Sequence, residues 1–284
     1  MTDTVPAPAD LGGCREVRAG ETGLVSAVLA RDPLVACPAE EKLAGSGVLP
    51  GPDGRFLTHG GPERSLLFVG GAVLPLRGGA EDMRAFGRAV ADLTAGPLSV
   101  HGRRESVAAL WDTLGLYWGE PRQFRDRQVL MAADGAGDPG LAHPGVRPAT
   151  LEEFDLVLPA AAAMYREELD ADPFEVGAGV PFRRRVARAL ARGRTWVLVH
   201  DRTVVFKADV AAVSSRVAQI QGVWVRPGHR GRGIGTGGVA ALCGALAARG
   251  LTPSLVVNES NLPAVRAYRR AGLSEVVPYA TVLV

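Results

Sequence analysis

At 284 residues the chain is long enough for two domains of roughly 100 to 150 residues each, and its 47% hydrophobic content, interleaved with charge, is that of a globular protein. Thirty-two basic against 30 acidic side chains leave a net charge of +2, too weak a field to recruit nucleic acid or an anionic membrane. No run reaches the ~18 uninterrupted apolar residues of a membrane span, and Cys14, Cys37 and Cys243 are too few and too scattered for a disulfide framework or a metal site.

In chain order, residues 1–12 have neither a basic stretch nor an apolar one and read as a disordered tail, not an export signal, so a cytoplasmic location is expected. Residues 13–133 form a first domain, in which a helix over 83–93 precedes a strand from Leu98 and an amphipathic helix ending near Gly115. A Gly, Pro and Asp-rich linker over 134–146 follows. In residues 147–284 the pattern predicts helices over 152–169 and 182–192, then strands over 195–199, 203–213 and 217–226. A helix over 235–248, a strand over 254–257, a helix over 262–271 and a β-rich tail from 275 complete an α/β chain. A shift of 157 residues lays LSVHGRRESVAALWDTLGL over LVVNESNLPAVRAYRRAGL without a gap, which suggests an internal duplication; the bland alternative is an unrelated α/β first half.

The stretch VWVRPGHRGRGIGT, 223–236, gives up side chains where a strand turns into a helix. Glycine lets a ligand approach the main chain, and the first N–H groups of a helix are unpartnered and carry the positive end of its dipole. Such a turn suits an anion, a pyrophosphate among them, with Arg230 and Arg232 adding charge. The plain alternative is a tight connection. A Walker loop would need Lys where Thr236 follows Gly235, and a dinucleotide fingerprint would need GxGxxG, whereas Gly231, Gly233 and Gly235 space as GxGxG.

Arg230, Gly233 and Gly235 supply an RxxGxG pattern behind Val223, Val225 and Pro227. Asn261, Ala264, Tyr268, Gly272 and Leu273 supply Asn-x-x-Ala-x-x-x-Tyr followed by Gly and an apolar residue. Through these linked motifs residues 146–284 resemble the GNAT acetyltransferase superfamily. The runs VVFKADVAAVS, QIQGVWVRP and YATVLV are similar to a group of actinobacterial-type GNAT proteins with an extra N-terminal domain of undefined function. The resemblance implies an α+β GNAT fold, in tandem if the duplication is real, and an acetyl-CoA-dependent N-acetyltransferase in which an amine attacks the thioester directly in a ternary complex. It places the pyrophosphate on the main chain of Arg230, Gly231, Arg232, Gly233, Ile234, Gly235 and Thr236, and a pantetheine arm against Val223, Trp224 and Val225. A β-bulge is expected near Gly222, and Asn261 is either a CoA contact or only a helix cap. Tyr268 would protonate the departing thiolate, a phenol near pKa 10 serving a thiol near 8.5; otherwise it is a core residue in the stripe with Val265 and Leu273.

No base is evident. Where the family often has Glu, the strand offers Gln219 and Gln221, which leaves Asp209, Glu167, Glu168 and Asp172 as candidates that could equally be surface acids. An acceptor amine of low pKa, on a small molecule or a peptide or protein N-terminus, would need little help. Arg183, Arg184, Arg185, Arg188, Arg192 and Arg194 make a wet helix face, or a flank for an acidic acceptor. In the first half only Arg77, Gly78 and Gly79 remain of the turn, and Trp111 stands where Tyr268 would, so no CoA is expected there. A CoA-binding pseudoenzyme or scaffold is the alternative function, no membrane or nucleic-acid partner is expected, and homodimerisation is left open.

Overall fold

Among the described residues, apolar patterns of period 2 and 3.6 become twelve strands and eight α-helices. The structure, a computed structural model, describes residues 11–93, 99–133, 135, 138–175 and 177–284. Residues 1–10 of the expected tail, Leu98, and residues 134, 136 and 137 of the expected linker lie outside the described residues. The chain divides into two compact units, Met1–Val129 with Val277–Val284, and Leu130–Val276.

The first unit contains β1 (Cys14–Glu16), α1 (Thr22–Leu29), α2 (Pro33–Ser46), β2 (Arg55–His59), β3 (Leu66–Val69), β4 (Ala72–Arg77), α3 (Ala80–Leu93), β5 (Ser99–Arg103), α4 (Arg104–Trp118) and the start of β6 (Gln123–Ala133). Pro33 opens α2 at a position that needs no N–H donor. Strands β1 to β4 pair antiparallel in order, and β4 pairs parallel with β5 across the α3 crossover. Side-chain alternation splits the core between the two sheet faces: Phe56, Leu66 and Phe68 pack with Val25 and Leu29, whereas Leu57, Leu67 and Val73 pack with Phe86 and Leu110.

The second unit contains β7 (Arg147–Pro148), α5 (Phe154–Leu169), α6 (Gly179–Ala191), β8 (Thr195–His200), β9 (Thr203–Val213), β10 (Val217–Val225), α7 (Ile234–Ala247), β11 (Thr252–Asn258), α8 (Leu262–Arg270) and the start of β12 (Leu273–Leu283). Here β7 to β10 pair antiparallel in order and β10 pairs parallel with β11. Both units therefore run strand, two helices, three antiparallel strands, helix, parallel strand, helix, strand, an order that extends the repeat suggested by the 157-residue shift.

The end of the chain departs from the expected domain of residues 147–284. Tyr279–Leu283 of β12 pairs antiparallel with Ser99–Arg103 of β5, so residues 277–284 belong to the first unit. Ala280 and Val282 are fully buried in its core. His101 Nδ1 and Tyr279 Oη lie 2.7 Å apart, and burial pushes the imidazole down to about 4, so this pair is uncharged at neutral pH.

Only Gly78 and Gly79 separate β4 from α3. Near the start of α3, Asp82 is 5% exposed, and its carboxylate accepts from the Gly79 N–H at 2.9 Å, His59 Nδ1 at 2.8 Å and Arg64 Nε at 3.1 Å. Desolvation opposes its ionisation, but these donors together hold the carboxyl below its usual range. The positive end of α3 is thus occupied by the chain's own anion. Replacing Asp82 by Ala removes a buried, charge-assisted acceptor and should cost about 1–3 kcal/mol. Because the folded pKa lies below the unfolded one, this contribution is present above about pH 4 and fades as pH falls through the folded value. Thermal unfolding of wild type and D82A should therefore show a gap at pH 7 that narrows in acid.

Candidate functional site

Strand β10 loses one neighbour and distorts against the other. It pairs with β11 only over Val217–Ile220 against Thr252–Leu255, and beyond Ile220 the two strands part. Against β9, Gln221 pairs with Asp209 and Trp224 with Lys207, so Gly222 and Val223 together face one residue. This is the β-bulge expected at Gly222. Gly222 has φ +56, a left-handed backbone that glycine adopts without strain.

From the end of β10, residues 226–233 lead into α7, against two residues at the matching place in the first unit. A 3-10 turn at Pro227–His229 is followed by Gly231 at φ +76 and by Gly233 at φ +79, the N-cap of α7. The first turn of α7 holds no acid and no side chain caps it. Among the described residues, the N–H groups of Gly231, Arg232, Gly233, Ile234, Gly235 and Thr236 donate to no protein acceptor; the first helical bond is Gly237 N–H to the Gly233 carbonyl at 2.9 Å. A Cβ at 231 or 233 would meet no atom within 4 Å, so nothing crowds the turn at these two positions. Donors, space and an exposed Arg232 fit a pyrophosphate.

The expected site residues separate into those that face this space and those held elsewhere. Arg230 donates from Nε to the Val225 carbonyl at 2.9 Å and from Nη2 to Glu167 at 2.5 Å, so its guanidinium braces the strand end while half of the side chain stays exposed. Trp224 donates its indole N–H to Glu167 at 3.0 Å with its ring in the core, which leaves only its main chain for a ligand. Val223 and Val225 are partly exposed, and the Val225 Cγ2 lies 3.4 Å from where a Cβ of Gly235 would stand. Asn261 caps α8, its side chain accepting from the Ala264 N–H at 3.3 Å.

Tyr268 of α8 is 8% exposed. Burial first, and then the nearby Glu168 charge, push its phenol well above the ordinary value, so it stays protonated across neutral pH. Among the acids considered as bases, Glu167 is held by Trp224 and Arg230, and Asp172 pairs with Arg166 at 2.9 Å. Asp209 accepts from Thr195 Oγ1 at 2.8 Å and bonds the buried Lys207 ammonium. The sequence marks Asp209 as a possible base or surface acid but gives no sign that Lys207, two residues before it, is interior.

The description "Acetyltransferase (GNAT) family" matches residues 161–273, the stretch that holds the parted strands, the bulge and the turn. Residues 161–273 are a GNAT acetyltransferase domain. The description "Domain of unknown function (DUF4081)" matches residues 54–157 before it. A comparison with curated proteins finds no match. Among solved structures, a Drosophila protein is similar with a TM-score of 0.62 at 14% identity, over 96% of this chain and 98% of its own. A GNAT-family acetyltransferase from Colwellia psychrerythraea gives 0.54 at 11% identity over 95% and 98%. A GCN5-related N-acetyltransferase from Sphaerobacter thermophilus gives 0.53 at 16% over 95% and 94%. At these identities the likeness is one of fold.

Gly233→Val is expected to affect both the GNAT domain's backbone and its anion space. A β-branched residue at φ +79 is strained by roughly 1–3 kcal/mol, and its methyls enter the space over the helix donors. Calorimetry with acetyl-CoA should show at least a tenfold loss of affinity beside a folded circular dichroism spectrum; unchanged affinity would remove the turn from the binding site.

Proposed function

We propose that the protein is an acetyl-CoA-dependent N-acetyltransferase that joins donor and amine in a ternary complex. The observation that carries this reading is the run of N–H donors from Gly231 to Thr236, with no protein acceptor among the described residues and no atom crowding the Cβ positions of Gly231 and Gly233. Acetyl-CoA supplies an activated acyl carbon and a thiolate leaving group. The turn and Arg232 would hold its pyrophosphate. The free edge of β10 at Val223 to Val225, parted from β11, would take the pantetheine arm as an added strand takes main-chain bonds.

Tyr268 then acts as the proton donor to sulfur. Its raised pKa keeps the phenol protonated, so that it has a proton to give to a leaving thiolate. The acceptor is an amine, on a small molecule or at a peptide or protein N-terminus.

Replacing Tyr268 by Phe keeps the ring in its packing and removes only the hydroxyl. A fall in kcat of about a hundredfold, the low end of general acid catalysis, is expected with acetyl-CoA affinity unchanged. Steady-state rates measured with acetyl-CoA and a free amine that the wild type acetylates should show it; an unaltered kcat would assign the proton to another donor.

A further inference from the structure

Behind the bulge lies a charge pair that this mechanism does not use. Lys207 and Asp209 are two apart on β9 and so share one face of the sheet. Lys207 is 2% exposed and its ammonium bonds Asp209 Oδ2, while the buried Thr195 hydroxyl on β8 donates to Oδ1 at 2.8 Å. A Cβ at Gly222 would lie 3.5 Å from Asp209 Oδ2, 3.6 Å from Lys207 Nζ and 3.2 Å from Met164 Cε. Position 222, where the strand is bulged, carries no side chain to cover them. The Asp209 side chain keeps 18% of its surface, so the carboxylate can be reached from solvent and the ammonium hardly at all. Replacing such a buried pair by apolar residues of similar volume is often neutral or stabilising, so packing alone does not account for it.

The remaining charged groups on the surrounding elements have other engagements. Glu167 on α5 bonds Trp224 and Arg230, Glu168 acts on Tyr268, and Arg194 ahead of β8 donates to the Ala211 carbonyl. Strand β10 contributes only the neutral Gln219 and Gln221.

The inference rests on the acyl-transfer reading above. A donor laid from the turn back along Val225 and Val223 ends at Gly222, beside Asp209. We propose that Lys207 and Asp209 form a charge-balanced seat for the acceptor nitrogen, in which Asp209 accepts one N–H of an amine bound uncharged and Lys207 denies its ammonium form any advantage. The lone pair stays free to form the C–N bond as the C–S bond breaks. Sulfur leaves with the bonding pair and takes a proton from Tyr268, and the proton shed by nitrogen restores the phenol through solvent.

The substrate class follows from the charge balance. An α-amine of pKa near 7.8 is neutral at pH 7 in about one molecule in seven, but an alkylamine near 10.4 in about one in 2,500. The seat therefore selects α-amines of amino-acid amides and peptides. Asp209 touches the acceptor; Lys207 and Thr195 are positioning residues.

The test follows kcat against pH with acetyl-CoA and two probes, a short peptide with a free N-terminus and no lysine, and n-butylamine. Wild type should acetylate the peptide at least tenfold faster at pH 7. Lys207→Met leaves the carboxylate uncompensated, which favours the bound ammonium and should raise the pH midpoint of kcat by about one unit. Asp209→Asn should lower the midpoint, and the double variant should return it near the wild-type value at a reduced kcat. A merely structural pair would lower kcat in all three without moving the midpoint in opposite directions.

Removing one partner of a buried pair can unfold a protein, so the double variant and Thr195→Val carry the test where the single variants do not fold. The double variant should keep acetyl-CoA affinity and lose kcat, and Thr195→Val should lose kcat severalfold. Wild-type kcat and midpoint in both, or a preference for butylamine, would overturn the seat while leaving acyl transfer standing. Acetyl-CoA binding with neither probe acetylated by the wild type would overturn the transfer reading, and the seat with it.

Discussion

Every helix must find acceptors for the N–H groups of its first turn, and in this chain the two equivalent helices find them in different places. Asp82 meets the need in α3, with His59 and Arg64 holding it ionised. No carboxylate stands in the first turn of α7. A helix end left in this condition is tolerable only if water or a ligand completes it. The glycine-rich approach keeps side chains out of that volume, and the parted strand beneath it offers a second row of main-chain groups. The difference between an anion site and a capped helix is one carboxylate and the length of the turn before it.

The bulge at Gly222 works on both edges of β10 at once. On the β9 side it breaks the ladder between Gln221 and Trp224, and it lies just past the point where the pairing with β11 ends. Trp224 then turns its ring into the core and ties Glu167, which in turn fixes Arg230. The strand end is therefore held by β9 along one edge and by these side chains, and its other edge, past the end of the β11 pairing, can pair with something that is not protein.

Much of this was legible in the sequence wherever a local pattern existed. The strand expected over 203–213 is the strand found, and the helix expected from Gly235 begins at Ile234. The turn became legible only beside the second motif at Asn261 and Tyr268, since alternate glycines alone also fit a tight connection, and the bulge at Gly222 was expected from the family resemblance. What was hidden depends on partners distant in the chain. Glu167 and Arg230 are 63 residues apart, and nothing near Arg230 shows that a carboxylate will claim it. The two-residue spacing of Lys207 and Asp209 puts them on one face, but nothing local shows that Lys207 would be buried there or that Thr195 would bond its partner. The fate of β12 was the furthest from reach, since a terminal strand fits either sheet equally well by pattern alone.

That last strand sets an order for the birth of the protein. His101 meets Tyr279 across 178 residues, so the sheet of the first unit is incomplete until residues 279–283 have left the ribosome. All the pairings among β8, β9, β10 and β11 are complete within residues 195–258 and can form sooner. Until Tyr279–Leu283 arrives, β5 keeps an open edge, the kind of surface that pairs with whatever strand is nearest. The unit begun first thus waits for a strand made after all of those pairings, and loss of Tyr279–Leu283 would leave β5 with an unpaired edge.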